Sequence, residues 1–481
     1  MLLLCLLPPD GVLSDNEENY FQLGAHFVLA APISPYTAVV DGAWHRVVND
    51  FLLGGLVHVV GFGAAQIIAR ALAALAYAAA LRALFRRFGL STIDAILAVV
   101  IFALMGQALI GGEWLFNGYE AKVAAYALVL AGLAMVLDGR SYVAALLFAA
   151  AIYFHFLVGV FWFFAAVVFT LIAERGQWRR LLPPMLLFGA LVAPILALIA
   201  ATRMRGGQPT LDPTLPTPDV IYSFIRAPHH TAPFLSLDNF LSQWLSGLML
   251  AAGMLAICLA VRASAREARL TNLATWLALL LAYLFLALVP SFLDRHTGML
   301  GKFYLFRPSS LILLLWLALL LAWLNRLALP HETTLKSLAL LLVLPPFLLN
   351  AGNRVAGDLA RGGDLGIDKG AIIEILRHDA APAALVLIDP ALDLGFLDFE
   401  RLSGHPMLVS WKFDPTNDPQ ILEWERRMEF RGALFADGCA DPLRYPVDFL
   451  VAQPEHAAAL AKTCGPVIYS GKAVALLRRA G

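Results

Sequence analysis

The chain has 481 residues, of which 60% are hydrophobic and only 15% are charged, and its mean hydropathy is +0.73. Soluble domains carry about a quarter charged residues, so this composition excludes an ordinary soluble protein and indicates a lipid bilayer as the main solvent. The 35 basic and 35 acidic residues balance. This balance gives no support to nucleic-acid binding, and the informative question is how the charges divide between the two membrane sides.

The first seven residues are apolar but too few to cross about 30 Å of hydrocarbon. They lack the basic start and the cleavage site of a signal peptide. We expect them to be the end of a first transmembrane helix whose beginning is missing, and a short interfacial anchor is the alternative. Residues 8–62 are polar enough to form a loop outside the bilayer, with juxtamembrane helices predicted at 20–31 and 45–60.

Ten apolar segments follow, each near the length that spans a bilayer. They cover residues 64–84, 93–110, 121–137, 142–156, 158–172, 181–201, 240–261, 273–293, 309–327 and 335–349. The fold class is therefore a polytopic α-helical membrane protein with about 10–11 transmembrane helices. Residues 1–350 are expected to form the membrane module.

Every second short loop is basic, which orients the module because Lys and Arg concentrate on the cytoplasmic side. The basic loops carry Arg82, Arg86, Arg87, Arg140, Arg175, Arg179, Arg180, Arg262, Arg266, Arg269, Arg326 and Lys336. The opposite, exported side then holds the first loop, the loops at 111–122, 202–238 and 292–307, and the tail. The predicted location is the inner (plasma) membrane of a bacterial cell envelope.

The tail, residues 351–481, has the composition of a small extracytoplasmic α/β domain. Strands are predicted at 384–388, 407–410, 449–452 and 467–469, and helices at 419–430 and 455–463. Alternating strands and helices indicate a partly parallel sheet. Of the four cysteines, Cys439 and Cys464 share this tail, and an oxidising compartment would allow them to pair.

The candidate site begins with an acidic segment, residues 14–20, which holds Asp15, Glu17, Glu18 and Tyr20. The other exported loops add carboxylates, histidines and cations: Glu113, Glu120, Lys122, His155, Arg226, His229, His230, Arg295, His296, Lys302 and Arg307. Cations on the exported side oppose the usual charge bias, so they suggest an anionic partner such as a lipid phosphate. The alternatives are pairing with nearby acids, an aromatic belt around 114–119 and a core role for His155.

These residue types fit one chemistry. A carboxylate deprotonates an acceptor hydroxyl, while cations stabilise the phosphate that leaves a lipid-linked donor. Glu17, or Asp15 in its place, is the predicted catalytic carboxylate, and the remaining residues are predicted to bind substrate. No metal-ligand spacing occurs among the cysteines, and the adjacent pair His229 and His230 lacks the i, i+4 spacing of a helical metal pair.

The layout resembles the GT-C class of polytopic glycosyltransferases, which use polyprenyl-phosphate sugars. Members place an acidic pair, often Asp-Glu followed by an aromatic residue, in the first exported loop, and many end in an exported soluble domain. Here Asn16-Glu17 precedes Tyr20 in that place. Asn16 stands where many members have Asp, so either Asp15 by a one-residue shift or Glu17 takes the catalytic role.

The resemblance implies a polyprenyl-phosphate-linked sugar and the lipid bilayer as partners, with no nucleic acid and an unknown acceptor. No cofactor is required by this reading, although some members use a divalent cation. Two other functions stay open from the sequence. One is a transporter or flippase for a lipid-linked or anionic solute. Transporters tend to carry charges near the middle of the membrane, and Arg70 and Asp94 are the few charges in or near the spans here. The other is a membrane scaffold whose tail binds partners.

Overall fold

A computed structural model describes residues 3, 6, 8, 10–29, 46–205, 213–327, 331–359, 363–413, 415–439 and 444–479. Eleven helices make up the membrane module: α1 Asp15–Leu29, α2 Val47–Phe88, α3 Thr92–Leu104, α4 Ala121–Leu137, α5 Ser141–Phe154, α6 Phe156–Ala173, α7 Leu182–Arg205, α8 Leu245–Ser264, α9 Ala268–Leu286, α10 Ser309–Leu324 and α11 Glu332–Leu359. In this described part, seven helical segments are long and apolar enough to cross a membrane, and α3, α4 and α5 are apolar but shorter. Each of the ten predicted spans lies on one of these helices, which confirms the multi-pass helical fold.

The helix α10 lies at the centre of the bundle. Leu311, Ile312 and the three leucines that follow are fully buried, and α10 packs against α9, α3 and α2. A helix that is apolar on all sides is stable only when protein or lipid surrounds it. By contrast, α7 and α11 leave Leu186 and Leu342 largely exposed, as expected of helices that face hydrocarbon.

The juxtamembrane prediction for 45–60 corresponds to the first part of α2. Residues before and after Gly61 are helical, but Gly61 itself has φ +78°, so the helix changes direction there. A positive φ is costly for residues other than glycine, which explains why the bend falls at this position. The described part of the predicted helix at 20–31, residues 20–29, lies on α1, which begins five residues earlier, and residues 30 and 31 lie outside the described part of the chain.

Asp94 has a structural explanation at the start of α3. Its side chain and that of Ser91 form a capping box, and its carboxylate also lies 2.8 Å from Lys336 Nζ and accepts from Asn325 at 3.0 Å. These contacts satisfy the first turn of α3 and tie it to α11 and to the end of α10. The Asp94 carboxylate is therefore explained as a helix cap that is paired with Lys336.

The tail region (residues 363–479) contains α12 Asp364–Asp379, α13 Asp418–Asp437 and a four-stranded sheet in the order β1-β2-β4-β3. The strands are β1 Val386–Ile388, β2 Phe449–Ala452, β3 Val467–Ser470 and β4 Ala475–Arg478. β1 and β2 are parallel, whereas β4 is antiparallel to both β2 and β3. This confirms a small, partly parallel sheet, and Cys439 and Cys464 form a disulfide beside it.

Details of the tail differ from the prediction. The predicted strand at 407–410 is only an isolated bridge between Met407 and Val386, while β4 and α12 were not predicted. β4 follows β3 after a short turn, and its buried residues Ala475, Leu476 and Leu477 read as one apolar run. A run this short cannot be distinguished from a buried helical segment by periodicity. α11 also continues to Leu359, beyond the domain boundary expected at 350.

The tail region contacts one end of the helical bundle, called here the loop end, where α1 and the loop at 105–120 lie. Arg401 Nε donates to Glu18 at 3.1 Å, and Gln22 donates to the Leu397 carbonyl at 3.0 Å. Asn19 donates to the Lys412 carbonyl at 2.8 Å. One face of α1 is thus covered by the tail region, and its other face packs along α2.

Candidate functional site

The loop at 105–120 owes its shape to the buried side chain of Gln107. Its Oε1 accepts from the backbone N–H groups of Leu115 and Phe116 at 3.1 and 2.8 Å, and its Nε2 donates to the Phe116 carbonyl at 2.9 Å. Buried backbone groups must find partners, and here one amide satisfies three of them. The loop is thereby folded back, so that Glu113 and Glu120 lie on the same side as the start of α4.

Two serines and a histidine fix the other flank of this loop. Ser309 and Ser310, at the start of α10, donate to the carbonyls of Ile110 and Glu113 at 2.6 and 2.7 Å. His230 Nδ1 contacts the Gly111 carbonyl. Because a carbonyl only accepts, Nδ1 carries the proton in this contact. Two distant parts of the chain, the start of α10 and the segment at His230, therefore hold the loop in one position.

A buried charge cluster lies at the centre of the site. Glu113 Oε2 is 2.7 Å from Lys122 Nζ, and Glu113 Oε1 is 2.9 Å from Arg307 Nη2. Burial alone would raise the pKa of Glu113, but the charges of Arg307 and Lys122 outweigh it and hold this pKa well below its ordinary value. Glu113 is therefore a carboxylate locked between two cations.

Aromatic rings cover both cations. Lys122 Nζ lies 4.0 Å from the centroid of the Trp114 ring, and the Arg307 guanidinium lies 4.1 Å from that of Tyr304. Such cation–π contacts hold the charges in place without neutralising them. The Lys122 side chain is 8% exposed and that of Arg307 is 14% exposed. Of the aromatic residues around 114–119, Trp114 thus packs directly on the charge cluster.

His155 adjoins the same cluster. Arg307 Nη1 lies 2.8 Å from His155 Nε2, and a guanidinium can only donate. Nε2 is therefore the acceptor, so His155 is neutral with its proton on Nδ1. The histidine extends the set of groups that orient Arg307.

Glu120 stands at the opposite side of Lys122, at the start of α4. Its Oε2 lies 3.3 Å from Lys122 Nζ, and its Oε1 accepts a hydrogen bond from the Asn16 side-chain amide across 104 residues of sequence. Tyr20 lies beside it: burial raises the pKa of the Tyr20 hydroxyl to about 12, and the Glu120 carboxylate adds to this. Glu120 is 4% exposed.

Glu17, the first of the predicted catalytic carboxylates, is fully buried and occupied on both oxygens. Arg70 Nε donates to its Oε1 at 2.8 Å, and the Tyr119 N–H donates to the same oxygen at 2.6 Å. The Ser14 N–H donates to Oε2 at 2.8 Å. Gly118 has φ +138°, and a Cβ there would come within 2.9 Å of Ser14 Oγ, so glycine permits this close approach.

Asp15 and Glu18 differ from Glu17 in their surroundings. Asp15 is half-buried in the first turn of α1, and no hydrogen bond or ion pair joins its carboxylate to the residues that the structure describes. Glu18 is turned toward Arg401 of the tail region and also accepts from Gln22 at 2.9 Å. Burial raises the pKa of Glu18, against the opposing effect of Arg401.

The predicted residues of the later loops divide into two groups: those that contact the charge cluster or the tail region, and those that lie apart from both. The His229 and His230 rings lie with centroids 3.9 Å apart and their planes tilted by 47°, and the Arg226 guanidinium lies 5.5 Å from the centroid of the Trp411 ring of the tail region. Lys302 lies 2.7 Å from both Asp219 and Asp418 and so joins the loop end to α13.

Arg295 and His296 belong to the second group, apart from the charge cluster. Arg295 donates to the Phe292 carbonyl at 2.8 Å and packs over the Phe292 ring. His296 is exposed. The structure thus brings Glu113, Glu120, Lys122, His155, His229, His230 and Arg307 together and leaves these two residues at the surface of a neighbouring loop.

Several residues of the site were not predicted as such. One feature of the sequence pointed to Arg70 as a residue of the site: an arginine within an apolar span needs a buried partner. Arg46, which lies over Tyr20 with its guanidinium 4.5 Å from the ring centroid, pairs with Asp50 at i, i+4 spacing. Among the described residues, no three His, Cys, Asp or Glu side chains converge as a metal site. A divalent cation, which the family resemblance left open, finds no such ligand set in that part of the chain.

The fold is shared with solved structures of ArnT from Cupriavidus metallidurans. The structure of that protein bound to undecaprenyl phosphate gives a TM-score of 0.52 at 15% sequence identity, covering 100% of this chain and 96% of that chain. Its apo state gives a TM-score of 0.44 at 13% identity, covering 99% and 96%. No protein-family model matches the sequence, and no curated protein matches it either. The first likeness shows the fold, and it confirms the polytopic helical architecture expected from the sequence.

Proposed function

We propose that this protein is a membrane glycosyltransferase that moves a sugar from a polyprenyl-phosphate donor to an acceptor hydroxyl. The observation that carries the proposal is the Glu113–Lys122–Arg307 cluster, at the loop end of a fold shared with a protein that binds undecaprenyl phosphate. Two fixed cations beside carboxylates are the groups that a phosphate leaving group and an acceptor hydroxyl require.

Lys122 and Arg307 are proposed to hold the donor phosphate. Arg matches phosphate oxygens with a planar pair of donors, and Lys adds a compact point charge. Glu113 keeps both cations in place before the lipid arrives, so little reorganisation is needed when charge develops on the leaving phosphate. Arg226, in the next loop against Trp411, is placed to add positive charge at the same end of the bundle.

The chemistry is proposed to occur on the exported side of the inner membrane. The basic loops lie at the helix ends opposite the loop end, as the positive-inside bias requires. The disulfide between Cys439 and Cys464 supports an extracytoplasmic tail, since disulfides persist in oxidising compartments. Both observations favour the same orientation.

The direct test uses purified protein in nanodiscs with a panel of radiolabelled undecaprenyl-phosphate pentoses and hexoses and a bacterial lipid extract as acceptor. We expect release of undecaprenyl phosphate together with transfer of label to a lipid. Lys122→Ala and Arg307→Ala should abolish binding of undecaprenyl phosphate. Movement of the labelled donor across the bilayer without any covalent change, or wild-type protein that neither binds undecaprenyl phosphate nor turns over any donor, would contradict the proposal.

A further inference from the structure

We propose that Glu120, positioned by Asn16, is the carboxylate that accepts the proton of the acceptor hydroxyl. This inference rests on the function proposed above. It assigns the general base of that reaction to the loop at 105–120 instead of the acidic segment at 14–20. The observation behind it is the hydrogen bond from the Asn16 amide to Glu120 Oε1. It brings the first loop, where a catalytic carboxylate was expected, against a carboxylate that comes from elsewhere in the chain.

Two other buried carboxylates at the loop end, Glu17 and Glu113, already form close ion pairs with arginine or lysine. Glu17 receives Arg70 and two backbone N–H groups, so using it as a base would break a buried ion pair. Glu113 lies between Lys122 and Arg307, which makes it a weak proton acceptor. Both are better explained as fixed anions that position cations.

Glu18 and Asp50 are excluded by their position. Glu18 faces Arg401 of the tail region, where it joins the two parts of the molecule. Asp50 pairs with Arg46 and accepts from the neighbouring Asn49 at 3.1 Å, within α2. Neither reaches the Lys122–Arg307 cluster through a direct contact.

Glu120 has a neutral amide on one oxygen and a single ammonium, at 3.3 Å, on the other. Asp50 has an amide and one cation in the same way, but only the cation at Glu120, Lys122, belongs to the charge cluster. Each carboxylate oxygen has two lone-pair positions, so both retain acceptor capacity. Lys122 also touches Glu113, and through this lysine the proposed base lies next to the proposed phosphate site. A hydroxyl that reaches Glu120 is therefore close to the donor phosphate, as an attacking group must be.

The proposed step is a single displacement. The acceptor oxygen attacks the anomeric carbon of the donor while its proton passes to Glu120. The bond between the anomeric carbon and the phosphate oxygen breaks, and its electron pair remains on that oxygen, where Lys122 and Arg307 stabilise the charge. The products are the glycosylated acceptor, polyprenyl phosphate and a protonated Glu120, which then loses its proton to water.

Asn16 is proposed as a positioning residue. It donates to Glu120 and so fixes the orientation of the carboxylate without adding charge. An aspartate at position 16 would instead place a second carboxylate in the same contact. When Glu120 is replaced by glutamine, that aspartate would restore a carboxylate within one side-chain length of the original, and the new amide could donate to it.

The experiment compares Glu120→Gln with the double variant Asn16→Asp/Glu120→Gln in nanodiscs. Turnover of the undecaprenyl-phosphate sugar and binding of undecaprenyl phosphate are measured in parallel. We expect Glu120→Gln to lower turnover by about 10²- to 10⁴-fold, the range for loss of a general base, while the Kd for undecaprenyl phosphate changes by less than about threefold. The double variant should regain at least about tenfold. Asp238→Asn, an exposed carboxylate of the same loop end, serves as the matched control and should retain wild-type turnover.

Two results would overturn the assignment. One is turnover in Glu120→Gln within about threefold of wild type. The other is a loss of undecaprenyl phosphate binding in parallel with turnover, without recovery in the double variant, because that pattern identifies Glu120 as a support for Lys122 only. Neither result affects the proposed function, which fails if the wild-type protein moves the donor across the bilayer without covalent change, or neither binds undecaprenyl phosphate nor turns over a donor.

Discussion

Arg70 and Glu17 form an ion pair that is shielded from solvent. Arg70 Nε lies 2.8 Å from Glu17 Oε1, and their side chains are 3% and 0% exposed. Arg70 is on α2 and also contacts Asp10 and the Val12 carbonyl, at 3.3 and 3.2 Å. The pair therefore anchors the segment before α1, and with it the position of Asn16, against the membrane helices.

Replacing one partner of this pair should destabilise the fold. Glu17→Gln removes the fully buried carboxylate partner of Arg70 and leaves only Asp10, at 3.3 Å, among the described partners, and breaking a buried ion pair costs up to about 3–5 kcal/mol of unfolding free energy. We expect a clear loss of thermal stability in detergent, measured by fluorescence-detected size exclusion after heating. The control is Glu374→Gln, because that carboxylate is 64% exposed and, within the part of the chain that the structure describes, pairs with His378 alone. Glu17→Gln that keeps wild-type stability but loses all transferase activity would instead assign Glu17 to the chemistry.

Arg307 should be irreplaceable by lysine. Its guanidinium contacts Glu113 with two nitrogens and His155 with a third, and an ammonium cannot reproduce this planar set of donors. We expect Arg307→Lys to weaken undecaprenyl phosphate binding by at least about tenfold, as measured by isothermal titration in nanodiscs. Arg295→Lys changes a cation outside the cluster and should leave the Kd unchanged. Equal effects of the two variants would contradict a specific phosphate site at Arg307.

The protein should lose stability as the pH falls from about 6.5 to about 4. Burial lowers the pKa of His230 to about 4, although the Glu113 carboxylate opposes this. In that interval the unfolded chain binds a proton that the folded chain does not, so the free energy of unfolding rises with pH. We expect His230→Asn, whose amide can still donate to the Gly111 carbonyl, to show a smaller drop in melting temperature between pH 7 and pH 5. An equal drop in wild type and variant would show that His230 does not contribute.

Removing the disulfide should weaken the tail region selectively. Cys439 and Cys464 are 25 residues apart in sequence, and a cross-link of this size contributes about 3–4 kcal/mol in the chain-entropy account. We expect Cys439→Ser/Cys464→Ser to be cleaved faster by protease within residues 363–479, while the membrane helices remain intact on gels. Cys258→Ser is the control, because that thiol is buried in α8 and unpaired among the described residues. Identical cleavage of both variants would contradict a structural role for the disulfide.

The sequence by itself determined the class of the protein. Apolar segments of membrane length predicted the helical bundle because hydrocarbon requires every backbone group to be paired within its own segment. The composition change near residue 351 predicted the tail, and short apolar runs located β1, β2 and β3 within a few residues. These features depend on local composition, so they can be read without knowing which segments are neighbours.

Tertiary structure alone decided the partners within the site. Glu17 and Glu120 are both acidic residues of predicted exported loops, yet one is paired with Arg70 of α2 and the other with Asn16. The groups around a carboxylate set how readily it takes up a proton, and the contacts that distinguish Glu17 from Glu120 come from residues 53 and 104 positions away. Sequence spacing carries no record of such contacts, because they are set by how α1, α2 and the loop at 105–120 pack.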